Sequence, residues 1–321
     1  MTSNAPKDGS SYGTILLATD FSGHSNAAMS CAMELAKVHG ARLAFVHAVD
    51  GRSIQDVPLK LQDDIDRKLT ALLDATKGSG IESIGHNAAG KPWEVIAAAQ
   101  KTYDAELIIV GAKGHGTFPR LHLGSTADRV VRTSEVPVLC VHHGDEGKLF
   151  SLRTIVVAVD FSDGSCGAVE AARRLAANAT WPVRIVLLHA FHIPIEYSMG
   201  VAAAIIGEDP AKVESESRAA LEKIAGPLRS QGHEVDVVCR EGYPASVISD
   251  VSAEEEADVI ALGTHGRSGL HHVLIGSIAE RVLHHASCPV LTVRHARHAD
   301  SPTTPSTQAA SSTVSTTDGE T

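Results

Sequence analysis

Two stretches of this chain carry the same glycine spacing in the same local setting. Gly111-Ala112-Lys113-Gly114 is followed by nine residues and then Gly124-Ser125; Gly263-Thr264-His265-Gly266 is followed by nine residues and then Gly276-Ser277. Each copy begins where an apolar, strand-like run ends (107–110 and 259–262) and closes on a helix-like segment (125–128 and 277–280). A glycine at the end of a buried strand lets the backbone turn sharply and lets a ligand come close, since no Cβ intervenes. Unpaired amides at a helix start, with the positive end of the helix dipole, form an anion site. The pattern therefore reads as a phosphate cradle present twice, and a side chain at Gly276 is expected to intrude on the phosphate. A plainer reading competes with it. Ser277 with Glu280 matches a capping box, and Ser125 with Asp128 is a weaker version.

The duplication extends well beyond the glycines. Thr154-Ile155-Val156-Val157-Ala158-Val159-Asp160-Phe161-Ser162 matches the run from Thr14 to Ser22 at a shift of 140, and Leu188-His189-Ala190 matches Val46-His47-Ala48 at 142. Gly242-Tyr243-Pro244 matches Gly90-Lys91-Pro92, and Pro289-Val290-Leu291 matches Pro137-Val138-Leu139, both at 152. The change of shift locates an insertion, chiefly the apolar stretch 193–207 after the second strand. Each half alternates apolar runs of strand length with stretches of helical periodicity five times. That order predicts an α/β fold of two repeated domains, each an open five-stranded parallel sheet with helices on both faces. The expected boundaries are a polar leader at 1–11, domains at 12–145 and 151–298, and a Ser/Thr-rich tail at 299–321 too poor in large apolar residues to pack. The terminal strands at 138–141 and 290–293 are apolar sheet edges that need cover, so the two halves are expected to pair through them.

Composition narrows the partners. The 28 basic and 38 acidic residues give a net charge of −10 with no long basic run, which argues against nucleic acid or an anionic membrane as the main partner. Five scattered cysteines without a CxxC pair read as reduced, mostly buried thiols, and the expected compartment is the cytoplasm. Among the 18 histidines, His271-His272, His284-His285, His295 and His298 lack zinc-ligand spacing and read as surface residues. Walker A, Gly-x-Gly-x-x-Gly and Gly-x-Ser-x-Gly motifs are all absent.

The duplicated glycine signature, the Asp-Phe-Ser after each first strand and the Cys-Pro-Val-Leu-Thr-Val near the end together resemble the universal stress protein family. The resemblance covers nearly all of both halves. It implies a Rossmann-like fold of the adenine nucleotide alpha hydrolase type, binding ATP or AMP, with Mg as an ion that can accompany the nucleotide. Carried over onto this chain, Asp20 and Asp160 would meet the adenosine portion, and backbone at Ala48 and Ala190 would face adenine. Gly111, Gly114, Gly124 and Ser125 would hold phosphate in the first half, and Gly263, Gly266, Gly276 and Ser277 in the second. The implied role is a stress-response sensor or regulator built as an internal pseudo-dimer, with homodimerisation left open.

Two alternatives stand beside this reading: a slow ATPase or phosphate-transfer enzyme of the same fold, and a scaffold whose cradles are merely structural. An enzyme would need a placed base and a metal, for which Asp20, Asp160, His115 and His265 are the candidates. The halves also differ. Lys113-Gly114-His115 faces His265-Gly266-Arg267 in reversed order, which suggests unequal preference for ATP and AMP. Phe118-Pro119-Arg120 stiffens the first spacer and removes an amide donor.

Overall fold

The computed structural model describes residues 11–22, 24–49, 51, 53–113, 123–142, 150–192, 210–266 and 275–294. Residues 1–10, the 193–207 insertion, the tail, Gly114, His115, the Phe118-Pro119-Arg120 spacer and Arg267 lie outside them. The first half runs β1 (Thr14–Ala18), α1 (His24–His39), β2 (Arg42–Val49), α2 (Leu59–Gly78), β3 (Ser83–Ala89), α3 (Pro92–Thr102), β4 (Leu107–Gly111), α4 (Ser125–Thr133) and β5 (Val138–Val141). The second half repeats it with β6 (Thr154–Ala158), α5 (Asp163–Ala176), β7 (Arg184–Phe191), α6 (Pro210–Ser230), β8 (Glu234–Glu241), α7 (Pro244–Glu254), β9 (Val259–Gly263), α8 (Ser277–His285) and β10 (Val290–Val293).

The strands form one ten-stranded sheet in the order β3-β2-β1-β4-β5-β10-β9-β6-β7-β8. Every pairing inside a half is parallel, and the seam between β5 and β10 is antiparallel, with Leu291 opposite Leu139. The two predicted five-stranded sheets are thus continuous through the apolar edges that needed cover. The central strands are apolar without alternation because both faces are buried. Ile15, Leu17, Ile155 and Val157 enter a core shared with α1, α2, α5 and α6; Leu16 and Val156 enter the opposite one, with α3, α4, α7 and α8. Each core runs through both halves, and each fully buried aliphatic side chain contributes about 1.5–3 kcal/mol.

Side chains reinforce the seam. Thr292 Oγ1 donates to the Val138 carbonyl (3.1 Å), His142 Nε2 to the Leu283 carbonyl (2.8 Å), and Arg132 pairs with Glu280 (3.3 Å). A second contact lies away from the strands. Arg174 at the end of α5 donates to the Ser11 carbonyl (2.6 Å) and to Glu106 (2.5 Å), with its guanidinium 4.3 Å from the Tyr12 ring centre. Of the cysteines, Cys31, Cys140 and Cys288 are buried, Cys239 is partly so, and Cys166 is exposed; burial pushes the Cys140 thiol up to about 12.

Candidate functional site

Parallel strands bring their C-terminal ends to one edge, and there the second half builds a pocket from three segments. The first is the turn after β6. Phe161 takes a left-handed backbone (φ 62°), so the chain reverses at once and Ser162 caps α5, its side chain accepting from the Ser165 amide. Asp160 Oδ1 accepts from the Ser162 amide (3.0 Å) and from the Ser162 hydroxyl. Burial acts to raise the Asp160 pKa, but the bonds from Ser162 and Ser165 outweigh it and hold the carboxyl below its ordinary value. The pocket therefore carries an ionised carboxylate at neutral pH.

The second segment is the loop after β9, which lies so close to the first that only glycine fits. A Cβ on Gly263 would stand 2.7 Å from the Gly164 carbonyl carbon, one on Gly164 2.7 Å from the His265 carbonyl oxygen, and one on Gly266 2.7 Å from Asp160 Oδ2. Gly276 packs against the same loop from the helix side. Its Cβ would point at the Thr264 carbonyl (3.2 Å), and its amide donates to that same carbonyl (2.7 Å). This contact packs the loop onto the helix start at the cavity wall.

The third segment is the start of α8. Gly276 is the N-cap and offers no side-chain bond, while Ser277 is already the first helical residue. The capping-box reading of Ser277 with Glu280 fails for that reason: the serine sits one position too late. The first intrahelical bond runs from the Glu280 amide to the Gly276 carbonyl (2.9 Å), so the amides of Ser277, Ile278 and Ala279 precede the ladder. Asp160, Ala190, Gly263, Gly266, Gly276 and Ser277 all line one cavity of about 280 Å³. Apolar walls that sequence reading missed come from Leu188, Pro244, Ile248 and Leu262. Pro244 carried a signal, since it repeats Pro92 at a helix start. Among the described residues no group of three or more His, Cys, Asp and Glu side chains is placed to hold a metal, and no helix is long and apolar enough to cross a membrane.

The model of the Universal stress protein family matches residues 11–142 and again 151–294. The chain belongs to that family. It is 27% identical over 295 residues to a universal stress protein of Mycobacterium tuberculosis, covering 87% of this chain and 96% of that one. One from Methanocaldococcus jannaschii is 32% identical over 146 residues, 44% of this chain and 82% of the relative. A match to one of Mycolicibacterium smegmatis, 29% identical over 191 residues, covers 59% of this chain and 62% of its relative's length. The crystal structure of a universal stress protein from Archaeoglobus fulgidus superposes with a TM-score of 0.68 at 23% identity, over 88% of this chain and 98% of that one, and shares its fold.

The first universal stress protein half repeats the turn closely. Phe21 is left-handed (φ 59°), and Asp20 Oδ1 accepts from the Ser22 amide (2.9 Å) and hydroxyl (2.6 Å). Ala48 is partly buried near the end of β2, Gly111 ends β4, and the Gly124 amide donates to the Ala112 carbonyl (2.7 Å), as Gly276 does to Thr264. Ser125 opens α4 behind the N-cap Gly124, which rules out its capping box with Asp128 in the same way. Of the residues suggested to set ATP against AMP preference, Lys113 and His265 are described. His265 Nδ1 lies 2.9 Å from the Thr264 hydroxyl.

Proposed function

We propose that the chain is a tandem adenine-nucleotide-binding stress-response protein, a sensor or regulator with one site at the C-terminal sheet edge of each half. The observation that carries this reading is the polarity of the second-half cavity. An ionised carboxylate stands on one wall, unladdered helix amides on another, and aliphatic side chains between. Asp160 repels phosphate and accepts from hydroxyls, so it belongs at a ribose. The amides of Ser277, Ile278 and Ala279, with the α8 dipole, suit phosphate. Leu188, Pro244 and Ile248 suit a flat base, whose edge is then met by backbone at Ala190. Asp20, Ala48, Gly111, Gly114, Gly124 and Ser125 take the same roles in the first half.

On this reading the domains span 12–145 and 151–298 and form a pseudo-dimer through β5 and β10. The ligand is ATP, with Mg where the triphosphate brings it, or AMP. Denaturing the freshly purified full chain, identifying the released small molecules by mass and counting them per chain tests this. About two adenine nucleotides per chain, or two sites on titration of the stripped protein with ATP, is the expected result. No release and no titratable binding would leave the scaffold reading in its place.

A further inference from the structure

One residue in each half lies behind the site, and both copies do the same thing. Val159 directly follows β6; its amide donates to the Leu188 carbonyl (2.8 Å), and among the described residues no backbone amide outside the ladders donates to its own carbonyl. His189 supplies a donor: Nδ1 lies 2.7 Å from the Val159 carbonyl oxygen. A carbonyl only accepts, so Nδ1 carries the proton, whatever the state of Nε2. The same ring packs against Phe161, with centroids 4.7 Å apart, and Phe161 is the residue held in the left-handed conformation. In the first half His47 Nδ1 lies 2.8 Å from the Thr19 carbonyl oxygen, its ring is 4.5 Å from Phe21, and Phe21 is left-handed in turn.

Asp160 lies between the residue whose carbonyl is gripped and the residue whose ring is packed. Side chains alternate along a strand. Leu188 and Ala190 line the cavity, so the intervening imidazole lies on the other face of β7, outside the set that lines it. A left-handed aromatic residue is strained, and such backbone persists only where its surroundings hold it.

We propose that His189 and His47 are positioning residues for the two nucleotide sites, each fixing the Asp-Phe-Ser turn so that its aspartate presents a carboxylate oxygen to a ribose hydroxyl. This rests on the nucleotide reading above. The arrangement is independent of the residue that supplies the carbonyl, which is a valine in one half and a threonine in the other.

The test uses the full chain and two substitutions. Asn places an amide N–H near the position of Nδ1; Gln reaches past it toward the position of Nε2; both remove the ring. ATP titration by calorimetry is run on stripped wild type, His189→Gln and His189→Asn, with thermal melting alongside and the intact first-half site as an internal check on folding. His189→Gln is expected to weaken one site per chain about tenfold, the effect of one misplaced hydrogen bond to a charged group, and to leave the other unchanged. His189→Asn is expected to recover most of that affinity even though both variants melt lower. His189→Gln binding at two sites with wild-type affinity would overturn the inference and leave the nucleotide reading standing. A wild type that binds no nucleotide would overturn both. His47→Gln and His47→Asn repeat the test on the other site.

Discussion

The two halves share their turn geometry to within a few degrees and tenths of an ångström, yet they differ in side chains behind the loop and in those that join one half to the other. Asp20 and Asp160 accept the same pair of bonds, and Gly124 and Gly276 donate to equivalent carbonyls at the same 2.7 Å. Gly164, whose missing Cβ lets the His265 carbonyl approach, is matched in sequence by His24, and Thr264 by Ala112. Arg174 reaches out of the second half to Ser11 and Glu106 of the first, but its match in the first half is Glu34. Asp258, the match of Glu106, bonds the Arg153 and Thr154 amides of its own half, as Glu106 bonds that of Gly13. The repeated Asp, Ser and glycine residues keep the duplicated site alike, whereas the Arg174 contact, made in addition to the β5–β10 seam, is one-sided because its residues are not repeated.

The largest expected effect breaks the comparison at the cradle. Gly263→Val drives a Cβ into the Gly164 backbone, 2.7 Å from its carbonyl carbon and 2.9 Å from its oxygen, and neither can give way as a side chain would. A loss of about 3 kcal/mol is expected from overpacking of this kind. Urea unfolding reads the loss, and the nucleotide count per chain should fall from about two to about one. Retention of both nucleotides would show that the second-half loop is not held by this contact.

A comparable effect comes from pH and centres on a first-half histidine with no counterpart at the matching position of the second half. His39 ends α1, is 4% exposed, and has no histidine in the matching part of the second half. Among the described residues no hydrogen bond of ordinary geometry reaches either ring nitrogen, although the ring meets Tyr12 edge-on at 4.8 Å. Burial lowers its pKa from 6.5 to about 4, and the Arg174 charge adds to this, while the Leu175 backbone and Glu106 oppose it. The folded value lies below the unfolded one, so the stabilisation is complete above pH 6.5. It is lost as pH falls through 4, to a total of roughly 3 kcal/mol. Urea midpoints of wild type and His39→Phe between pH 7 and 4 should diverge, the wild type falling more steeply. Parallel curves would mean that His39 does not titrate inside this contact.

Much of this architecture is legible from one dimension, and the reasons for the remainder are physical. Apolar runs such as Leu107-Ile108-Ile109-Val110 mark strands because parallel strands are buried on both faces, and the repeated glycines mark the loops that follow. The contact of Gly263 with Gly164 joins residues far apart in the chain, and no local pattern announces it. The capping-box alternative arises because Ser277 and Glu280 fit that pattern in letters, while in space Gly276 is the N-cap and Ser277 the first helical residue. His189 was visible only as part of a repeat; its bond to Val159 depends on where the ladder ends.

A smaller effect sharpens the difference at the junction. Arg174→Leu removes the bonds to Ser11 and Glu106 and leaves Glu106 on the Gly13 amide (2.6 Å). About 2 kcal/mol is the expected cost for charged, partly exposed hydrogen bonds. Glu34→Ala, at the matching position, should stay within about 0.5 kcal/mol of wild type. Equal losses would mean that the junction is not one-sided. A urea transition that splits into two steps for Arg174→Leu would show further that this contact makes the halves unfold together.

The smallest expected effect asks how alike the two turns are. Ser162 does two jobs at once: its hydroxyl bonds Asp160, and its oxygen accepts the Ser165 amide (3.3 Å) as the cap of α5. Ser162→Ala should cost about 1 kcal/mol through the lost cap. It should also weaken the second site a few-fold, since Asp160 keeps the amide bond from residue 162 but not the hydroxyl. Ser22→Ala removes the corresponding 2.6 Å bond to Asp20. If the turns are equivalent devices, the two variants lose nucleotide affinity by the same factor, each at its own site, when titrated with ATP. A loss confined to Ser162→Ala would mean that the first turn is held chiefly by His47 and the Ser22 amide, and that the halves differ in their sites as well as at their junction.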